Sequence, residues 1–488
     1  MVVVPVGDED VVLRPPPPLE RGVDTTAAVR DASRFPLSGP ALSELATRGG
    51  RATIVVEPPA LPLPGVALDP RRDALAATID ELVRSGVPDH RQTVLVASGL
   101  GRRLGRRELE RLLAPPRARA FRGRVLVHDA ADPALVPLAE SEDGEILVNP
   151  ALVETDLVVS VSAAETILHG GPATLLGASD APTIRRSAGA DSLLRPAGAA
   201  EWARAVSIES ATAARVPLLG ISLVLDHPRI SGRFRSYPHD ERSFEHVLHS
   251  PLRRLYSALP GGVRRAALRD QARQLATAAV YAGPPSVAHA EALLRGVELR
   301  GARLAEPVDA LVAGVPWIGP HVPREPLNPV TAAAVPLGLA LRLWRGGFPV
   351  RRGGTLVLVH SLVRSFAQGA DDPYRTMFAA LQRADDHALT RAEEDAATDA
   401  RALATYRAGR SCHPLLPYAD WAGCRPALAR LGRVIVAGSR DAAAARAFGF
   451  VPSHSLASAL EMAHGVAGGR ARVGVLLAPP YAPLLVGA

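Results

Sequence analysis

Apolar and polar positions alternate along this chain in two registers. Residues 51–59 hold the β-branched, mainly apolar run 52–56 and end in prolines, which predicts a buried strand. Residues 71–88 place apolar residues at helical spacing and predict an amphipathic helix. The same alternation recurs: strand over 93–101 ending in glycines, helix over 106–113, strand over 124–133, and two strand-like runs with a turn between them over 145–163. The second half repeats it. Strands are expected over 308–316, 353–361, 432–439 and 472–480, and helices over 329–345, 373–407 and 441–447. Alternating strand and helix is the mark of an α/β fold with mostly parallel sheets.

Two stretches depart from that rhythm. Residues 1–23 hold a short β-like run and the proline tract Pro15 to Pro18, and read as an extended arm. A helical pattern follows from 25, breaks at Pro36 and Pro40, and resumes to 48. From 231 to 282 the pattern reads as two helices around a Pro-Gly-Gly break. The expected organisation is therefore an arm with the first helices over 1–50, an N-terminal α/β domain over 51–230, a helical insertion over 231–282, and a C-terminal α/β domain over 283–488.

Composition narrows the chemistry. All 56 residues counted as lysine or arginine are arginine. Schiff-base catalysis, a lysine-tethered cofactor and a lysine base are excluded, because arginine stays protonated and is a poor nucleophile. Nine arginines between Arg102 and Arg124, against Glu108 and Glu110, match the whole net charge of +7. Such a patch fits a phosphate-bearing ligand or polyanion, and equally the solvated face of a helix. Neutralising Arg106, Arg107 and Arg111 would separate these. Aromatic residues are few among these arginines, which argues against a nucleic-acid platform. No apolar run approaches the roughly 20 residues of a membrane span, so no membrane partner is expected. The start of the chain lacks the basic region of a signal peptide. With two cysteines, Cys412 and Cys424, a reducing cytoplasm is the expected setting.

The segments 36–56, 93–113, 127–138, 144–161, 170–184, 282–293, 325–338 and 431–463, in this order, resemble the lactate racemase family of nickel-pincer-nucleotide-dependent 2-hydroxyacid racemases and epimerases. The resemblance implies two α/β domains around a cleft that holds the cofactor. It implies hydride transfer to the pincer carbon, two histidines trading the hydroxyl proton, a histidine on nickel and a lysine carrying the nucleotide. This sequence departs from that pattern at most of these positions. Leu61 stands for an arginine and Gly101 for a histidine, although Arg102 is kept. Glu165 and Thr166 are kept, but Ile167 stands for a histidine and Ala173 lies near the lysine position. The nickel-ligand position falls near Ala188, and Pro336 replaces a second lysine. The cofactor implied by the resemblance could not be attached covalently here, and no metal site is assigned.

The residues that remain give the candidate site. His169 and Glu165 are the catalytic candidates. Ser98, Gly99, Gly101, Arg102, Gly170 and Gly171 are candidates for cofactor or phosphate contact, since glycine-rich strand ends can present amides to an anion. Trp317, His321 and Arg324 are candidates for a ligand-contacting loop on the cleft, and the segment reads equally as a proline-stiffened surface loop. His128-Asp129 reads as an acid–base pair or a loop cap. Cys412, His413 and Cys424 match no zinc spacing, and Asp371-Asp372 and Asp385-Asp386 read as helix ends. Two functions stay open: an isomerase of 2-hydroxyacids, or a non-catalytic relative binding a small anionic or nucleotide ligand or a partner protein.

Overall fold

The computed structural model describes residues 4–58, 66–109, 112, 120–142, 144–227, 229–230, 245, 249–260, 263, 273–315, 327–383, 386–467, 471–477 and 481–487. Its main strands are β1 (Val11–Leu13), β2 (Ala52–Val56), β3 (Gln92–Val96), β4 (Arg124–Val127), β5 (Leu157–Ala163), β6 (Leu218–Leu225), β7 (Thr277–Gly283), β8 (Val308–Gly314), β9 (Val350–Val359), β10 (Arg433–Ala437), β11 (Val451–Ser453) and β12 (Val473–Leu476).

They form two six-stranded sheets, in the orders β7-β6-β5-β2-β3-β4 and β1-β12-β8-β9-β10-β11. Every pairing in the second sheet is parallel, and in the first only β7 runs antiparallel, against β6. The α/β class with mostly parallel sheets is the one the sequence pattern predicts. All five residues of β2 and all seven of β5 are buried. Strands covered on both faces are expected to be apolar throughout, and these are rich in valine.

Helices cover the sheets with their own signals. Asp69 caps the helix Pro70–Arg84 by accepting the Arg71 amide, and Pro70 sits in the first turn, where no amide is needed. Its residues Ala74, Leu75, Thr78 and Leu82 share the buried face. The two halves share one core: Ala164, Ile167, Leu193 and Val224 of the first pack with Leu293, Leu311, Leu341 and Tyr374 of the second.

Three expectations change. The 231–282 segment does not end as a helix. Its last residues enter β7, in register with β6 from Thr277 opposite Leu225 to Gly283 opposite Gly220. A short apolar run carries both periods, and strand pairing decided between them. The helix Pro251–Ala258 is formed, whereas 231–244 and 264–272 lie outside the described residues. The helix expected over 329–345 is regular only through Pro329–Ala334, widens over Val335–Leu339 and tightens over Ala340–Arg342. Pro336 lacks the amide a regular turn needs. Residues 373–407 form three helices, Asp372–Leu381, Asp386–Thr398 and Ala400–Arg407.

The extended arm has a docked place. β1 adds to the edge of the second sheet beside β12. Beyond the prolines the chain reaches the first half, where the Leu19 amide bonds Asp226 and the Val23 amide bonds the Thr277 carbonyl. No helix among the described residues is long and apolar enough to cross a membrane.

Candidate functional site

The carboxyl ends of β2 and β5 carry Glu57 and Glu165, and the helix Pro70–Arg84 brings Arg71 to them. Asp69 holds Arg71 through its capping carboxylate at 2.7 Å, and Glu165 faces the same guanidinium at 3.4 Å. Arg71 is held above its ordinary pKa: the carboxylates of Glu165 and Asp69 outweigh the opposing effect of its burial. Glu57 lies in the same field. Burial is the main cause that raises its pKa to about 8, and Glu165 adds to it, while the Gly170 amide and Arg71 oppose. At neutral pH Glu57 is thus mainly a carboxylic acid and can donate a proton.

His169 is exposed amid buried neighbours. Desolvation still lowers its pKa, and Arg342 from the second half lowers it further against the pull of Glu165. Solvent thus reaches this ring while charges from both halves act on it, and this position is the His169 recess. The Thr166 hydroxyl lies 3.1 Å from His169 Nδ1 and accepts the Leu168 amide. That network favours a donated hydroxyl proton at Nδ1 and an imidazole proton on Nε2. The structure therefore brings together both residues expected to be catalytic, His169 and Glu165.

Gly170 and Gly171 play a different part from the expected ligand contact. Their amides are spent inside the protein, on the Glu57 carboxylate and on Ser162 Oγ at 2.9 Å. Both have positive φ, 92° and 54°, and a Cβ on either would lie 2.3 Å from His289. Glycine is required because the turn lies directly on that ring.

Sequence reasoning missed Glu57, Arg71, His289 and Arg342. His289 is buried on the helix Pro285–Arg300, its Nε2–H donates to the Thr166 carbonyl at 3.0 Å, and burial lowers its pKa to about 4. Its Nδ1 has no hydrogen-bond partner. Arg342 donates to the carbonyls of Ala190 at 2.6 Å and Ala188 at 3.3 Å. The prolines beside Glu57 and the Asp-Pro-Arg opening of the next helix were the available signals.

The turn Ser98-Gly99-Leu100-Gly101 is closed to an anion at three of its amides. Ser98 bonds the Val96 carbonyl, Gly99 that of Gly177, and Gly101 that of Ser98. Leu100 packs with Leu415 of the second half. Arg102 pairs with Glu108 at 2.5 Å. Arg103 and Arg407 flank Asp129, and the Tyr406 hydroxyl accepts the Ala130 amide, so this edge is a seam between the halves. His128 is buried and its Nε2 bonds the Ser179 carbonyl at 2.7 Å, a loop-holding contact. Trp317, His321, Arg324, Leu61, Arg111 and Asp385 lie outside the described residues, as do the side chains of Arg106 and Arg107. Cys412 and Cys424 are buried thiols pushed up by desolvation. His413 Nδ1 accepts the Leu415 amide. Asp371 accepts the Ala367 amide, and Asp372 pairs with Arg375.

The positions that the resemblance assigns to cofactor chemistry are filled otherwise. Ile167 is fully buried in the shared core. Ala173 is buried in the short helix Pro172–Leu176, and Pro336 in the widened turn. The Ala188 carbonyl is held by Arg342. No group of three His, Cys, Asp or Glu among the described residues could hold a metal. The residues present do not fit a lysine-tethered nickel pincer nucleotide.

Residues 3–170 match the lactate racemase N-terminal domain. No curated protein sequence matches the chain. Among solved structures, the lactate racemase apoprotein from Thermoanaerobacterium thermosaccharolyticum superposes with a TM-score of 0.60 at 14% identity, covering 99% of this chain and 97% of that one. A protein from Thermotoga maritima gives 0.52 at 12% identity, covering 95% and 99%. Residues 3–170 are thus similar to the lactate racemase N-terminal domain, and the chain as a whole shares the fold of the lactate racemase apoprotein.

Proposed function

We propose that this protein binds a small 2-hydroxycarboxylate-type anion in the recess at His169 and does not isomerise it by nickel-pincer chemistry. The activity inherited with the fold would be racemisation or epimerisation of a 2-hydroxyacid. By the hydride-transfer route that the resemblance implies, that reaction needs a hydride acceptor, which no amino-acid side chain supplies and a cofactor must. The observation that carries the reading is the fate of the anchoring positions: there is no lysine, and Ile167 lies wholly in the core.

The recess retains what binding an anion needs. Arg342 puts positive charge beside it, His169 Nε2–H is a donor, and the Glu57 acid, coupled to Glu165, is a second one. Calorimetric titration with both enantiomers of lactate and of longer 2-hydroxyacids tests this, with chiral chromatography of the same solutions. Saturable binding is expected, weakened about tenfold by His169→Ala, with each enantiomer recovered unchanged. Interconversion by the purified chain would overturn the non-catalytic part. Absence of binding by every acid tried would overturn the ligand class.

A further inference from the structure

The carboxyl ends of β9 and β10 form a second polar site, on the other sheet. Ligands of open parallel sheets bind beyond the carboxyl ends of the strands. Two turns are fastened together there. His360 donates its amide to the Ala437 carbonyl at 3.2 Å, Arg440 its amide to the Ser361 carbonyl at 2.8 Å, and Arg364 pairs with Asp441 at 2.7 Å. Between them sits Leu362, the one non-glycine residue among those described with positive φ, at 41°. It is fully buried, so the core holds a backbone strain that leucine alone would not keep. The strain has a local effect: the Leu362 amide points at His360 Nδ1, 3.1 Å away. The imidazole proton is thereby fixed on Nε2. Desolvation keeps the ring neutral, with a pKa lowered to about 4.

On the facing turn, Ser439 Oγ is buried without a hydrogen-bond partner. Gly438, at φ 82°, has open space where a Cβ would stand. The amides of Gly438 and Ser439 are both spent on the Ser453 carbonyl. Any ligand there must therefore use side chains. Arg440 is exposed and makes no ion pair among the described residues. The carboxylate of Asp441 is already neutralised by Arg364.

We infer that these paired turns bind a phosphate group, with His360 Nε2–H, the Ser439 hydroxyl and the Arg440 guanidinium as donors. The inference does not rest on the reading of the His169 recess, and its test leaves that recess untouched. Inorganic phosphate and, separately, a nucleoside monophosphate are titrated into the full chain by calorimetry. His360→Ala and Arg440→Gln should each weaken binding about tenfold, while Arg122→Gln, in the basic stretch, should leave it unchanged. Arg440 is exposed, so its variant keeps the fold. Tighter binding of the nucleotide would assign the phosphate to a nucleotide, and equal affinity to the free ion. No phosphate binding by the wild type, unchanged affinity in the Arg440 variant, or an equal loss in the Arg122 variant would overturn the inference.

Discussion

Glu57 illustrates how one residue records the environment that the fold builds around it. Unfolded, its carboxyl has the ordinary value of 4.5, and folded it titrates at about 8. Between these values the folded chain binds more protons than the unfolded one, so stability falls as pH rises. The contribution is complete below about pH 4.5 and is lost through about pH 8. Glu57→Gln should flatten the decline and raise the melting temperature at pH 8, by the order of 1 kcal/mol in stability. Thermal melts from pH 5 to 8.5 check this. An unchanged profile would place Glu57 in contact with solvent. Part of this chemistry could be read in the sequence. Glu165 and His169 stand in a short polar break of an apolar stretch, and the charge of Glu165 acts on the His169 ring. Glu57 and Arg71 were hidden because their importance comes from convergence of segments far apart in the chain. Ser98, Gly99 and Gly101 misled because a glycine-rich strand end reads alike whether its amides face a ligand or neighbouring carbonyls.

At the scale of elements, local pattern predicted β2, β3, β5, β8, β9, β10 and β12 and the helix Pro70–Arg84, since each carries its period in its own residues. The exceptions depend on partners. β6, an apolar run of eight, was not singled out. β7 was taken into a helical stretch, and only its register with β6 makes it a strand. β1 is three residues long, and its role as an edge strand of the far sheet depends on β12. Leu13 is 1% exposed and part of the core shared by the halves. Leu13→Ala should therefore cost about 2–5 kcal/mol, read as the shift in a urea unfolding midpoint. A loss under about 0.5 kcal/mol, the size of a surface change, would mean that the arm is not seated as described.

Across the whole molecule, the two halves close on each other by three means: a common core, the seam at Asp129, and the arm that binds both sheets. These preserve a lactate-racemase architecture at 14% identity, which apolar patterning can do while reactive groups change. This body persists, we propose, without the means of holding a lysine-tethered nickel pincer nucleotide. The most direct test is intact-mass spectrometry with metal analysis of the chain co-expressed with enzymes that make the nickel pincer nucleotide. The unmodified polypeptide mass and no stoichiometric nickel are expected. A nickel-bearing adduct on the chain would contradict it.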